Sequence, residues 1–217
     1  FSGVTPEECS ESFRRCLRIA ERFRVEGVDL TKHNDAEWPP LKRILSACVH
    51  SISWRSYSGN EGKPTEKGLY DDAMSAVKWL QTKGYKKEDI IIYGESLGTA
   101  VSIEIAQNEA FKGLILEAPF TSMVDAAKYH YPYLPVSWML KDRYLSKDKI
   151  QNINIPLFVM HAKGDTIVPF WMGEKIFELA NEPKMNLFID ENEHLVTYNE
   201  ELMKMMDDFY KIIGLND

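Results

Sequence analysis

The sequence lacks the features of several specialised protein classes. No apolar run approaches the roughly 18 residues of a membrane-spanning helix, and residues 1–4 do not begin a secretion signal. The 217 residues include 3 cysteines, and Cys9, Cys16 and Cys48 match no C-x-x-C spacing, which argues against a disulfide framework or a zinc site. We therefore expect no membrane span within this chain, no disulfide framework and no zinc site.

Positive charge is also scarce. Lys and Arg number 26 against 33 Asp and Glu, a net charge of −7, whereas duplex nucleic acid needs a clustered basic face. We expect no nucleic-acid partner. The 44% hydrophobic and 27% charged residues are typical of a globular protein. The length predicts a single domain over 1–217.

The low cysteine count weakly favours a reducing compartment, so a cytoplasmic location is the default expectation. The chain does not begin with Met, and a lost upstream segment could have carried an anchor or a signal. The sequence leaves the oligomeric state open.

Short apolar runs alternate with helical patterns through most of the chain. The predicted strands are 90–93, 112–116, 157–161 and 185–189. The predicted helices are 67–82, 99–108, 171–180 and 200–213. This alternation predicts an α/β protein with a mostly parallel central sheet and helices on both faces. Further predictions are a helix over 7–24, a short helix over 41–47 and a strand over 48–54.

The most informative motif is G-x-S-x-G at residues 94–98, between a predicted strand and a predicted helix. In this context it predicts a nucleophile elbow, in which a strained turn presents the Ser96 hydroxyl to a cleft. Crowding by the strand and helix predicts that only glycine fits at Gly94 and Gly98. The helix N-terminus favours an oxyanion, and the backbone N–H of Leu97 is the natural donor.

A serine nucleophile needs a base, and the base needs an acid that orients it. Asp165 follows the predicted strand 157–161, and His194 follows the predicted strand 185–189. Both positions are at carboxyl ends of strands, where an open α/β sheet gathers its catalytic groups. Taken singly, the motif could be a chance turn, Asp165 an Asx-turn residue and His194 a surface histidine. Their joint order favours a Ser96–His194–Asp165 triad.

Several segments resemble a known family. W-R-S-Y-S-G-N-E-G at residues 54–62 is similar to Y-R-G-Y-G-x-S-x-G of the α/β-hydrolase superfamily, in particular the Bem46-like and ABHD13/ABHD17-like serine hydrolases. The likeness continues through P-T-E-K-G-L-Y-D-D-A at 64–73, the elbow, A-P-F-T-S at 118–122 and the loops of Asp165 and His194.

This resemblance implies an α/β-hydrolase fold and a carboxylesterase-type serine hydrolase without metal or organic cofactor. It implies that Ser96 is the nucleophile, Asp165 the orienting acid and His194 the general base. The substrate class implied is a small-molecule ester with a short or medium acyl chain, or a thioester. Residues 118–154 would form a short cap between the nucleophile and acid loops. Its residues Tyr129, Tyr131, Tyr133, Leu134, Trp138 and Met139 could line an acyl pocket or serve only as core.

Residues 1–47 are atypical of this family. The family usually carries an H-G-N-A-G motif, which supplies the other oxyanion donor. Here residues 31–36 contain only the partly similar run His-Asn-Asp-Ala, which lacks the glycines. The second donor is therefore unknown. Two alternatives stay open: a catalytically impaired hydrolase-like binding or scaffold protein, and a peptidase of the same fold.

Overall fold

The structure, a computed structural model, describes residue 55 and residues 62–197 and 199–215. The chain divides into two compact units, Phe1–Pro64 and Thr65–Asp217, and all helices and strands of the described residues belong to the second. Three of the predicted elements lie outside the described residues, namely those over 7–24, 41–47 and 48–54. The three cysteines and the atypical residues 1–47 lie outside them as well. The single domain over 1–217 stays a prediction.

The second unit contains a parallel sheet of four strands in the order β1-β2-β3-β4. The strands are β1 (Ile91–Glu95), β2 (Gly113–Glu117), β3 (Leu157–Ala162) and β4 (Lys184–Ile189). All four strands that the apolar runs predicted are confirmed. The first three end later than predicted, since β1 and β2 each continue to a glutamate and β3 continues to Ala162. This difference matters because the end of each strand borders the candidate site.

The helices of this unit confirm the four helical patterns. The long helices are α1 (Glu66–Thr82), α2 (Leu97–Ala106), α6 (Phe170–Leu179) and α7 (Glu200–Ile212). Residues 118–154, which showed no clear periodicity, contain three short helices, α3 (Met123–His130), α4 (Val136–Met139) and α5 (Ser146–Lys149).

Side-chain caps fix where several helices begin. Thr65 accepts a hydrogen bond from the Gly68 N–H at the start of α1, and Ser122 and Asn199 do the same at the starts of α3 and α7. Such caps satisfy backbone donors that have no partner within the helix. Helix α2 differs, because Ser96 precedes it without a side-chain cap.

Helices cover both faces of the sheet, as predicted. On one face, Ile115, Phe158 and Leu187 belong to a buried cluster with Leu202 and Phe209 of α7. We call this the α7 face. On the opposite face, Gly94 lies close under Ser102 of α2, and His161 lies close under Gly173 of α6. The two apolar layers hold the carboxyl ends of the strands in fixed positions.

Phe209 is the centre of the packing on the α7 face. Its side chain is 0% exposed, its ring stacks on Phe158 with centroids 5.7 Å apart, and a Cβ on Gly113 would lie 3.0 Å from it. Phe209→Ala should therefore lower the free energy of unfolding by about 3–5 kcal/mol. Ile212→Ala, on the same helix with 50% exposure, is the matched control and should change it little. Urea denaturation measures both, and equal losses would contradict this packing.

Candidate active site

Ser96 occupies the turn between β1 and α2. Its φ of 51° and ψ of −118° lie in a region that costs a non-glycine residue about 1–3 kcal/mol. The Ser96 N–H donates to the carbonyl of Glu117 at 2.9 Å. The Ser96 carbonyl accepts from the Thr99 N–H at 3.0 Å and the Thr99 hydroxyl at 2.6 Å. This geometry is that of the predicted elbow.

The two glycines of the motif are not equivalent. A Cβ on Gly94 would lie 2.5 Å from Ser102 Oγ and 2.7 Å from the carbonyl oxygen of Gly98, so glycine is required there. A Cβ on Gly98 would meet no atom of the described residues within 4 Å. The prediction that crowding demands glycine at both flanks is therefore correct for Gly94 and wrong for Gly98 within the part of the chain that the structure describes.

The Leu97 N–H lies in the first turn of α2, where backbone donors have no partner within the helix and the helix dipole is positive. This position agrees with the predicted oxyanion donor. The other segment considered for a donor, 31–36, lies outside the described residues.

Asp165 lies just after β3, in the loop that leads to α6. Its Oδ1 accepts hydrogen bonds from the N–H groups of Ile167 at 2.8 Å and Val168 at 2.9 Å, which is the Asx-turn arrangement. Its Oδ2 lies 2.8 Å from Nδ1 of His194. The carboxylate therefore shapes its own loop and also binds the predicted base.

The Asp165 carboxyl is held in its ionised form. Burial alone would raise its pKa, but hydrogen bonds from His161, His194 and the N–H groups of Val168 and Ile167 outweigh burial and hold the pKa well below its usual range. An ionised carboxylate is the form that can accept a hydrogen bond from the Nδ1–H of His194 and stabilise an imidazolium.

A second histidine contacts the same carboxylate. His161 is buried in β3, and its Nε2 lies 2.9 Å from the Val168 carbonyl and 3.3 Å from Asp165 Oδ2. A Cβ on Gly173 would lie 2.0 Å from its Nδ1, so the ring is confined between strand and helix. Since Nε2 faces two acceptors, it carries the proton and links β3 to the Asp165 loop.

His194 comes from the loop between β4 and α7. Its bond to Asp165 fixes the ring and leaves Nε2 as the nitrogen that can take up a proton. Its side chain is 19% exposed, whereas that of Asp165 is 0% exposed. The structure brings Asp165 and His194 together. Among the described residues, no hydrogen bond joins the Ser96 hydroxyl to His194.

Sequence reasoning missed Glu117, the last residue of β2. It is 3% exposed, and its Oε1 accepts a hydrogen bond from the Val196 N–H at 2.8 Å, two residues past His194. One signal was present: a charged residue ends the wholly apolar run 113–116, directly before the A-P-F-T-S segment. The structure therefore adds a second buried carboxylate beside the His194 loop.

The cap residues named from the sequence do not form a core. Tyr133 is 95% exposed and Trp138 is 92% exposed, so the core alternative is wrong. The other four are exposed as well: Tyr129, Tyr131, Leu134 and Met139. The cap does contact the acid loop, because His130 Nε2 of α3 lies 2.8 Å from the Ile167 carbonyl. Whether these residues line an acyl pocket stays a prediction.

In the described ranges, no set of three or more His, Cys, Asp and Glu side chains is arranged to hold a metal ion. No helix in those ranges has the length and apolar character needed to cross a membrane.

The difference between the two glycines can be tested. Gly94→Ala should lower the free energy of unfolding by about 1–3 kcal/mol, because the added methyl overpacks the contact between β1 and α2. Gly98→Ala is the matched control. It should leave stability unchanged or raise it by about 0.5–1 kcal/mol, since alanine favours a helix more than glycine. Thermal and urea unfolding measure both, and equal effects of the two changes would contradict the geometry.

The low pKa of Asp165 predicts how stability depends on pH. The unfolded carboxyl titrates near pH ~3.9, so its stabilising contribution is complete above that pH and is lost as the pH falls through it toward the lower folded pKa. The stability difference between the wild type and Asp165→Asn should therefore be larger at pH ~7 than at pH ~3. Asp190→Asn, whose side chain is 84% exposed, is the control and should show little difference at either pH. A wild-type advantage over Asp165→Asn that is constant with pH would contradict this electrostatic origin.

Comparisons with known proteins identify relatives of this chain. Lysophosphatidylserine lipase ABHD12 of Danio rerio is 33% identical over 165 residues, which cover 66% of this chain and 43% of that protein. Alpha/beta hydrolase domain-containing protein 17B of Homo sapiens is 32% identical over 147 residues, which cover 67% of this chain and 50% of that protein. The matched region thus spans half or less of each of these relatives.

Solved structures confirm the predicted α/β-hydrolase fold. The Pyrococcus furiosus esterase superimposes with a TM-score of 0.59 at 20% identity and covers 80% of this chain and 74% of that chain. A likeness at this identity shows the fold alone. The sequence profile of the prolyl oligopeptidase family matches residues 57–211. The chain therefore belongs to the prolyl oligopeptidase family and is an α/β hydrolase.

Proposed function

We propose that this chain is a serine hydrolase that cleaves carboxylic esters or thioesters of short or medium acyl chains through an acyl-enzyme. The observation that carries the proposal is the 2.8 Å contact between His194 Nδ1 and Asp165 Oδ2, at the same sheet edge as the strained Ser96 turn. An imidazole oriented by a buried carboxylate, at the same sheet edge as a half-buried elbow serine, is the arrangement that a serine nucleophile needs for activation.

The proposed reaction has two halves. In the first, Ser96 Oγ attacks the acyl carbon while His194 Nε2 takes the hydroxyl proton. The Leu97 N–H stabilises the oxyanion, and His194 then gives the proton to the departing alcohol or thiol. In the second, His194 takes a proton from water, the water attacks the acyl-serine, and the acid leaves as Ser96 regains its proton. The Asp165 carboxylate stays ionised throughout and stabilises the imidazolium.

The elbow serine and the base do not share a hydrogen bond among the described residues. Contacts of this kind tighten when substrate binds, so the proposal requires that His194 Nε2 reach Ser96 Oγ in the substrate complex. An anion hole with one donor instead of two would lower the rate by about 10²- to 10³-fold. The rate is therefore expected to depend strongly on a second donor, which stays unknown.

The leaving group is the open part of the proposal. Relatives carry the names lipase and hydrolase, and a structural neighbour is an esterase. The family profile, by contrast, bears the name of an oligopeptidase, which favours amide cleavage as the second candidate. An amide leaving group must receive its proton before the bond breaks, so it depends more heavily on His194 as an acid.

Labelling by a fluorophosphonate probe tests the nucleophile. The wild type should label, and Ser96→Ala should not. His194→Ala should slow labelling by about 10³-fold or more, because members of a triad act as a unit. Ser75→Ala is the control, since Ser75 is an exposed serine in α1 that donates to the Asp71 carbonyl, and it should label like the wild type. Equal labelling of Ser96→Ala and the wild type would show that another residue reacts.

Turnover of paired substrates tests the reaction class. p-Nitrophenyl esters of increasing acyl length should be hydrolysed, and the p-nitroanilides of the same acids should not. Faster hydrolysis of the anilides would favour the peptidase. A folded wild type that neither labels nor turns over any of these substrates would contradict the proposal and favour a hydrolase-like binding or scaffold protein.

A further inference from the structure

Two carboxylates are buried among the described residues, and the proposed mechanism uses one of them. Asp165 binds His194, whereas Glu117 takes no part in the proposed bond-making steps. Glu117 is 3% exposed, and an ionisable group is costly to bury unless its oxygens are hydrogen-bonded. The hydrogen bonds of Glu117 therefore indicate its role in the structure.

Glu117 contacts both parts of the proposed site. Its backbone carbonyl accepts the Ser96 N–H at 2.9 Å, and its side-chain Oε1 accepts the Val196 N–H at 2.8 Å. The first bond holds the elbow serine, and the second holds the loop that carries His194. A single residue thus links the nucleophile turn to the base loop.

The other carboxylate oxygen of Glu117 is also bonded. The Tyr93 hydroxyl donates to Oε2. The register pairs Tyr93 with Ile115 and Glu95 with Glu117, so Tyr93 and Glu117 lie on the same face of the sheet. This is the α7 face. The carboxylate is therefore held between its own strand, the neighbouring strand and the His194 loop.

The backbone around Glu117 is held as firmly as its side chain. Ala118 is 0% exposed and has a φ of 50°, a conformation that is strained for alanine. Its N–H donates to the Met160 carbonyl at 2.9 Å. A strained residue persists only where its surroundings fix it, so the position of Glu117 along the sheet edge is well defined.

Electrostatics also connect Glu117 to the site. Burial raises the pKa of the Glu117 carboxyl, and the Glu95 carboxylate raises it further. The hydrogen bonds from Tyr93 and Val196, and the charge of His194, act in the opposite direction.

A purely structural role is the simplest alternative. The position faces the apolar cluster of the α7 face, where Ile115 is the preceding inward residue, so a leucine or methionine would complete the core without a desolvation cost. What an apolar residue cannot supply is an acceptor that reaches the Val196 N–H.

We propose that Glu117 is a positioning residue, which sets the distance between Ser96 and His194 by holding the Ser96 turn through its carbonyl and the His194 loop through its carboxylate. The inference rests on the proposed function. It predicts that the reach of the side chain toward the Val196 N–H matters more than its charge. A misplacement of the base by about 1 Å is enough to lower a rate roughly 10²-fold.

Two substitutions separate reach from charge. Glu117→Gln keeps the side-chain length and an acceptor oxygen, whereas Glu117→Asp keeps the carboxylate and shortens the side chain by one methylene. With a p-nitrophenyl ester, Glu117→Gln should retain kcat within about threefold. Glu117→Asp should lower kcat about 10- to 10²-fold with KM changed less than about threefold, and it should slow fluorophosphonate labelling in parallel. Tyr93→Phe is the matched control, since it removes the other hydrogen bond to the same carboxylate and leaves the Val196 bond in place.

Amide hydrogen exchange at Val196 gives a readout that does not depend on activity. Protection should be retained in Glu117→Gln and in Tyr93→Phe and should fall in Glu117→Asp. If Glu117→Asp keeps wild-type kcat, or if Glu117→Gln loses as much kcat as Glu117→Asp, this role is overturned while the wild type remains active. Unchanged protection of Val196 in Glu117→Asp would overturn it as well. A wild type that neither turns over ester nor labels at Ser96 would instead overturn the proposed function.

Discussion

The carboxylate of Asp165 is the interaction on which the site depends. Within the described residues it accepts from the N–H groups of Ile167 and Val168 and contacts the imidazoles of His161 and His194. The backbone hydrogen bonds to Oδ1 close the loop after β3, and the contact with His161 connects that loop to the sheet. The hydrogen bond of Oδ2 with Nδ1 orients the ring of His194. Because one oxygen pair does all of this, loss of the charge would disturb loop shape and base orientation together.

The parallel sheet explains why such distant residues meet. All four strands end at the same edge of the sheet, and each brings one residue of the site to that edge. Glu117 is the last residue of β2. The other three follow β1, β3 and β4 in that order: Ser96, Asp165 and His194. The pairing register sets where each strand ends along this edge, and the helices packed on both faces hold the strands in place. Chemistry at this edge is thus a consequence of the packing of apolar layers far from it.

Much of this arrangement could be predicted from the sequence, for physical reasons that differ between residues. Strand and helix positions follow from local apolar periodicity, and Ser96, Asp165 and His194 lie in the turns and loops that follow predicted strands. What the sequence could not show depends on atoms brought together across space. Gly98 has room that Gly94 lacks, because α2 approaches the strand at Ser102. Glu117 drew no attention because its hydrogen-bond partner, the Val196 N–H, is 79 residues away in the sequence. The sequence left open whether the apolar cap residues are core or pocket lining, because hydropathy does not report which side faces solvent.

The bond between Asp165 and His194 can be observed directly. In protein labelled with 15N at histidine, proton NMR should show a downfield, exchange-protected Nδ1–H resonance, assigned to His194 by its loss in His194→Ala. We predict that this resonance is lost in Asp165→Ala and remains in Ser96→Ala. A His194 resonance unchanged by Asp165→Ala would mean that the carboxylate does not hold the ring, and the central claim would be wrong.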